Sequence, residues 1–222
     1  MLSDGFKELC GIIAKYNVQN YFRLRLLHRH MTISEWHILL GKTTTELLGY
    51  WTKPTAIIDI DVQNIHGHVF SVDATSCTSG VRVKSDLLFL SEFREGPPTA
   101  RDIGSNFFAE FTNCLLARGL EKALGLEALQ VQAGKMVEFS FDIGSLLLKE
   151  EEVKAAVWEE RRGQFNLQET GWAITVKDGN VFKTGETRCF TYTTGHVKVT
   201  DSKAKGVSDV VNILRDKGML VT

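Results

Sequence analysis

The chain has 222 residues, 43% of them hydrophobic and 24% charged, a balance that suits a globular protein with one sizeable core. Its formal net charge is −1, so no summed field draws it to nucleic acid or to an anionic membrane. No run approaches the roughly 18 uncharged apolar residues of a membrane helix, the first residues lack a secretion-signal pattern, and the four cysteines form no CxxC pair. The expected setting is therefore a reduced, cytoplasmic one.

Residues 3–16 read as a helix, capped by Ser3 or Asp4, with Phe6, Leu9, Ile13 and Tyr16 at three- and four-residue steps. From Tyr21 to His30 the period drops to two. Phe22, Leu24, Leu26, His28 and His30 share one face, and Arg23, Arg25 and Arg29 share the other with Leu27. This predicts a half-buried strand whose wet face is basic. Residues 35–42 are expected to return as the second strand of a hairpin. Alternation resumes over 56–73, with Gly67 as a bulge or close-approach point, and 81–93 predicts one or two further strands.

The stretch from Glu95 to Asp102 holds two of the three prolines and breaks the pattern. A helix is then expected from Ser105 to Leu124, with Phe107, Phe108, Phe111, Leu115 and Leu116 as its apolar stripe and Gly125 as its stop. Met136 to Ile143 predicts a strand, and Lys149 to Arg162 a solvated helix that includes Glu150, Glu151 and Glu152. Lys177-Asp178-Gly179-Asn180 is the turn of a hairpin or meander within 172–200. A last helix covers Val207 to Lys217 and stops at Gly218. Together these predict a single α+β domain over 1–222, built as a curved antiparallel β-sheet with helices packed on one face.

Four of the six histidines fall in two pairs, His28/His30 and His66/His68. Each pair continues the apolar face of its strand, because a gap of two keeps both side chains on one side. A histidine placed there must be hydrogen-bonded or must line a cavity, since an unpaired buried polar group costs about 1–3 kcal/mol. The pairs are thus expected to share a pocket on the concave sheet face. Glu35 and His37 would be carried back beside the first pair, Glu35 orienting an imidazole as in a general base. The string Leu26-Leu27-His28-Arg29-His30, followed five residues later by Glu35, resembles an element of uncharacterised fungal proteins; the resemblance implies no activity.

Three functions fit this pattern. The first is metal-free acid–base catalysis on a small organic molecule, of isomerase, cyclase or lyase type, by His28, His30, Glu35, His66 and His68. The second is a metal-dependent enzyme using the same imidazoles, completed from Glu35, His37, Asp73 or His196, which no spacing rule selects among. The third is a binding or interaction module whose histidines are structural. The expected partner is a small molecule, with neither nucleic acid nor membrane; the cofactor and the oligomeric state stay open. Other patterns fail. Gly41-Lys42-Thr43 lacks the glycine a phosphate loop needs five positions before Gly41, where Trp36 stands. Cys77 has no nucleophile signature around it.

Overall fold

Alternation of arginine with apolar residues over Phe22–Leu26 bears most on the architecture, because the charged and the apolar side of that strand are both buried. The computed structural model describes residues 4–28, 31–72, 89–97, 103–129, 134–154, 166–192, 195–196 and 204–221. In chain order the strands are β1 (Phe22–Leu26), β2 (His37–Thr43), β3 (Gly49–Ala56), β4 (Ile65–Ser71), β5 (Phe89–Glu95), β6 (Leu124–Ala128), β7 (Met136–Phe141), β8 (Gly144–Lys149), β9 (Asn166–Lys177), β10 (Asn180–Tyr192) and the short β11 (Gly195–His196). The helices are α1 (Asp4–Lys15), α2 (Ser105–Ala117) and α3 (Val207–Asp216).

The sheet runs β11-β10-β7-β8-β3-β2-β5-β4-β6-β1-β9, and β9 pairs back onto β10. Ten strands therefore close into a barrel, with β11 a spur on β10. Pairing is antiparallel except for β2 with β5 and β7 with β10. This overturns the expected open sheet with helices on one face. The helices stand on the outside of the barrel in two separate sectors.

In the first sector, α1 and α2 cover β1, β4, β6 and β9. Phe6, Leu9 and Ile13 of α1, with Phe107 and Phe111 of α2, pack on Phe22, Leu24, Leu126 and Trp172. Phe22 stacks on Phe107 at 5.7 Å between ring centroids, and Phe6 meets Trp172 edge to face at 5.1 Å. In the second sector, α3 sets Val210, Val211 and Leu214 against Val137, Phe139 and Leu146 of β7 and β8. A third, smaller cluster joins Ile38, Leu40 and Phe93 under Ile60.

Several sequence expectations change in detail. The 56–73 stretch is not one strand: 3-10 turns at Ile57–Asp59 and Val62–Asn64 separate β3 from β4. The expected strand over 35–42 forms from His37 to Thr43, but β2 pairs with β3 and β5 instead of returning on β1. The helix from Ser105 ends at Ala117, where Gly119 takes a left-handed φ of +63°, and Gly125 lies inside β6. There a Cβ at position 125 would crowd the Phe70 carbonyl. Residues 150–152 form one 3-10 turn, and 155–162 lie outside the described residues, as do Cys77 and most of 81–93. The turn at Asp178-Gly179 is present, with φ of +52° and +75°, the left-handed pair that suits a two-residue hairpin. Gly218, at φ +64°, ends α3.

The outer apolar layer is the main source of folding free energy. Replacing Phe111, fully buried between α2 and the barrel wall, by alanine is expected to lower stability by about 3–5 kcal/mol, as for other buried phenylalanines. Equilibrium urea unfolding measures it, and a loss under 1 kcal/mol would place this layer outside the cooperative core.

Candidate functional site

The face of β1 opposite Phe22 and Leu24 carries Arg23 and Arg25, both buried in the barrel lumen. The expectation of a solvated basic face is therefore corrected: closure of the sheet turns that face inward. A buried guanidinium needs carboxylate partners, and the neighbouring strand supplies one. Glu127 of β6, opposite Arg23 in the ladder, accepts two bonds from it, at 2.9 Å from Nε and 2.6 Å from Nη2. Arg25 Nη1 lies 3.3 Å from the same carboxylate, and Arg25 Nη2 reaches across the lumen to Glu138 of β7 at 3.1 Å. Glu186 adds a longer contact to Arg23 at 3.4 Å.

The histidines join this network unequally. His68 Nε2 is 3.1 Å from Glu127 Oε1, and its buried Nδ1 has no hydrogen-bond partner among the described residues. Burial, helped by the nearby Arg94 guanidinium, lowers the His68 pKa to about 3 against the opposing pull of Glu127. His68 is therefore neutral, with Nε2–H donating to Glu127. Burial would raise the Glu127 pKa, but Arg23, Arg25 and His68 together hold it well below the usual carboxylate range. For Arg25, burial alone pulls the guanidinium down, and Glu127 and Glu138 outweigh it. Arg94, opposite in the lumen, donates to Thr52 Oγ1 at 2.6 Å. Gly41 leaves room for it, because a Cβ there would overlap the guanidinium.

His28 lies just past the end of β1, where the chain turns over the lumen. Its Nδ1 bonds the Leu26 carbonyl at 2.8 Å and its Nε2 faces Glu138 Oε2 at 3.3 Å. Cys189 of β10 is opposite Glu138 in the ladder. One donor atom each from His28, Glu138 and Cys189 lie within 4.8 Å of one another. Burial, and then the Glu138 charge, push the Cys189 thiol up, so it is protonated.

Of these groups, Arg25, His28, Glu138 and Thr52 border a cavity of about 320 Å³. Arg25, His28, Glu92 and Glu138 form its charged wall, and Leu27, Met31, Ile33, Leu39 and Val69 its apolar wall. Ser71, Ser91 and Ser145 add hydroxyls, and the exposed Lys122 also borders it. No hydrogen bond reaches the Glu92 carboxylate among the described residues. A ten-stranded barrel is wider than the eight-stranded kind that side chains fill, which leaves room for a ligand.

The structure brings two of the five predicted site residues, His28 and His68, to lumen carboxylates. His66 is half-buried and bonds the Gly96 carbonyl through Nδ1 at 2.9 Å. His30 lies outside the described residues, as do Asp73 and the His196 side chain. Glu35 is exposed, and only its backbone carbonyl meets an imidazole, His37 Nδ1 at 3.0 Å. The carboxylates that hold histidines are Glu127 and Glu138. Sequence reading missed these, with Arg25, Glu92 and Cys189, because it assigned the charged strand faces to solvent. Acids on β6 and β7 that match the arginines on β1 were the available signal.

Because His68 binds a proton less readily folded (about 3) than unfolded (about 6.5), native stability falls as pH drops below 6.5. Glu127 adds to the loss once pH passes below the ordinary carboxylate value, since it too binds protons better when unfolded. His68→Gln is expected to flatten the pH 6.5–4.5 part of the stability profile by up to about 1.4 kcal/mol per pH unit. Urea midpoints across that range measure it, and an unchanged slope would contradict the neutral assignment.

A comparison with known proteins finds no matching family model, no similar curated protein and no similar solved structure.

Proposed function

We propose that the barrel takes a small, partly apolar organic molecule bearing a carbonyl group into its lumen and moves a proton on it, as an isomerase, cyclase or lyase does. The observation that carries this reading is the lumen cavity lined by both apolar and charged side chains. The apolar wall supplies affinity by burial, at roughly 25 cal/mol per Å² of apolar surface. The charged wall supplies chemistry. Glu92 is a carboxylate at the cavity with no hydrogen bond among the described residues, which suits a general base. It accepts the proton from the carbon next to the carbonyl, and the C–H electron pair moves into the new double bond while the carbonyl oxygen takes up negative charge. Arg25 is the cationic side chain of that lining that meets this charge. Returning the proton to a different carbon completes an isomerisation.

Binding and chemistry are tested separately. The fluorophore 1-anilinonaphthalene-8-sulfonate is expected to bind the wild type, and Ser91→Phe and Leu39→Trp, from different strands, should each weaken it at least 10-fold. Deuterium wash-in from D2O into a panel of enolisable ketones, followed by proton NMR, is expected to slow by about 10²–10⁴-fold in Glu92→Gln, the usual range for loss of a general base. Wild-type exchange no faster than buffer, or full exchange in Glu92→Gln, would sink the catalytic reading. Undiminished fluorophore binding in both filled variants would sink the lumen site.

A further inference from the structure

We infer that His28, Glu138 and Cys189 form a site for one divalent transition-metal ion in the wall of the lumen cavity. The three donors come from separate parts of the barrel: the end of β1, the middle of β7 and the middle of β10. Pairing of β7 with β10 sets Glu138 beside Cys189, and closure brings His28 to them, all three donors within 4.8 Å of one another.

The hydrogen bonds around His28 give a second, independent reason. A backbone carbonyl only accepts, so the 2.8 Å contact with Leu26 places the proton on Nδ1. Nε2 then presents its lone pair to Glu138, which is also an acceptor, at 3.3 Å. The same Glu138 oxygen also accepts from Arg25 Nη2, so a metal ion at Nε2 would share this carboxylate with the guanidinium. An imidazole fixed by Nδ1–H to a backbone carbonyl, with Nε2 turned to a carboxylate, is the arrangement that orients a metal-ligating histidine. The remaining donors are held in the same way. Arg25 Nη2 bonds Glu138 at 3.1 Å, and Ser140 is hydrogen-bonded to Cys189.

Charge selects the kind of ion. A thiolate and a carboxylate carry two negative charges, which a divalent ion neutralises beside Arg25, whose guanidinium bonds both Glu127 and Glu138. As the metal–sulfur bond forms, the Cys189 proton leaves to solvent. Imidazole with thiolate favours zinc, cobalt or iron(II) over calcium or magnesium, which take all-oxygen sites. Three protein ligands leave a fourth position. Both His28 and Glu138 border the cavity, so that position faces any molecule bound there. This last point alone rests on the lumen reading above.

The experiment titrates full-length protein, stripped with a chelator, with Co²⁺ and Zn²⁺. The expected result is one ion per chain and a near-ultraviolet sulfur-to-cobalt charge-transfer band. Cys189→Ser should abolish the band, and His28→Ala should weaken binding at least 10-fold. Circular dichroism and urea unfolding of the same samples show that the variants are folded, and fluorophore binding reports the lumen separately. No saturable binding, or a band that persists in Cys189→Ser, overturns the metal site. Cobalt binding without fluorophore binding would overturn the lumen reading and leave the metal site standing.

Discussion

One buried carboxylate organises this protein. Glu127 takes bonds from Arg23, Arg25 and His68 at once, inside a closed sheet and away from solvent. Left unpaired, a charge at that depth would cost several kcal/mol; stripping one member from such a group typically costs about 3–5 kcal/mol. The partners on β1 and β4 must therefore be placed by the backbone before the lumen is dry. That requirement fixes which face of each neighbouring strand points inward. The apolar faces must then point outward, and the helices are what cover them.

This inverts the usual division of labour in a soluble β-protein. Leucine and phenylalanine lie between barrel and helices, while the centre is polar and partly hollow. The ion network cannot be credited with much net stability, since buried ion pairs roughly break even against apolar residues of equal size. Its effect is on specificity of arrangement, and on keeping a fixed field at the charged side of the cavity. A preset field of that kind is what a developing charge on a bound molecule would meet.

Local patterns were legible in the sequence and closure was not. The periodicity of 3–16 and 207–217 predicted α1 and α3 nearly to the residue, because each helix needs only its own apolar stripe. The Asp178-Gly179 turn was legible because few residues tolerate its backbone conformation. By contrast, Arg23 and Arg25 look identical in sequence whether their face meets water or Glu127. Pairing of β2 with β5, and of β9 with both β1 and β10, joins segments far apart along the chain and leaves no local mark. Of the histidine pairs, His28 reaches the lumen only because β1 ends at Leu26 and the alternation stops there. His68 does so at the register shift beside Gly67, which the sequence did mark.

The ladder around β1 and β6 has a further meaning. These two strands share five residue pairs with each other, but β6 is joined to β4 by only two and β1 to β9 by only two. The β1–β6 ribbon is thus a loosely stitched stave in the barrel wall. What clasps it on the inside is the side-chain set it carries: Glu127 to His68, Arg25 to Glu138, and Arg23 to Glu186. The Arg25–Glu138 clasp of the stave is also part of the cavity's lining, so one ion pair serves both the wall and the pocket.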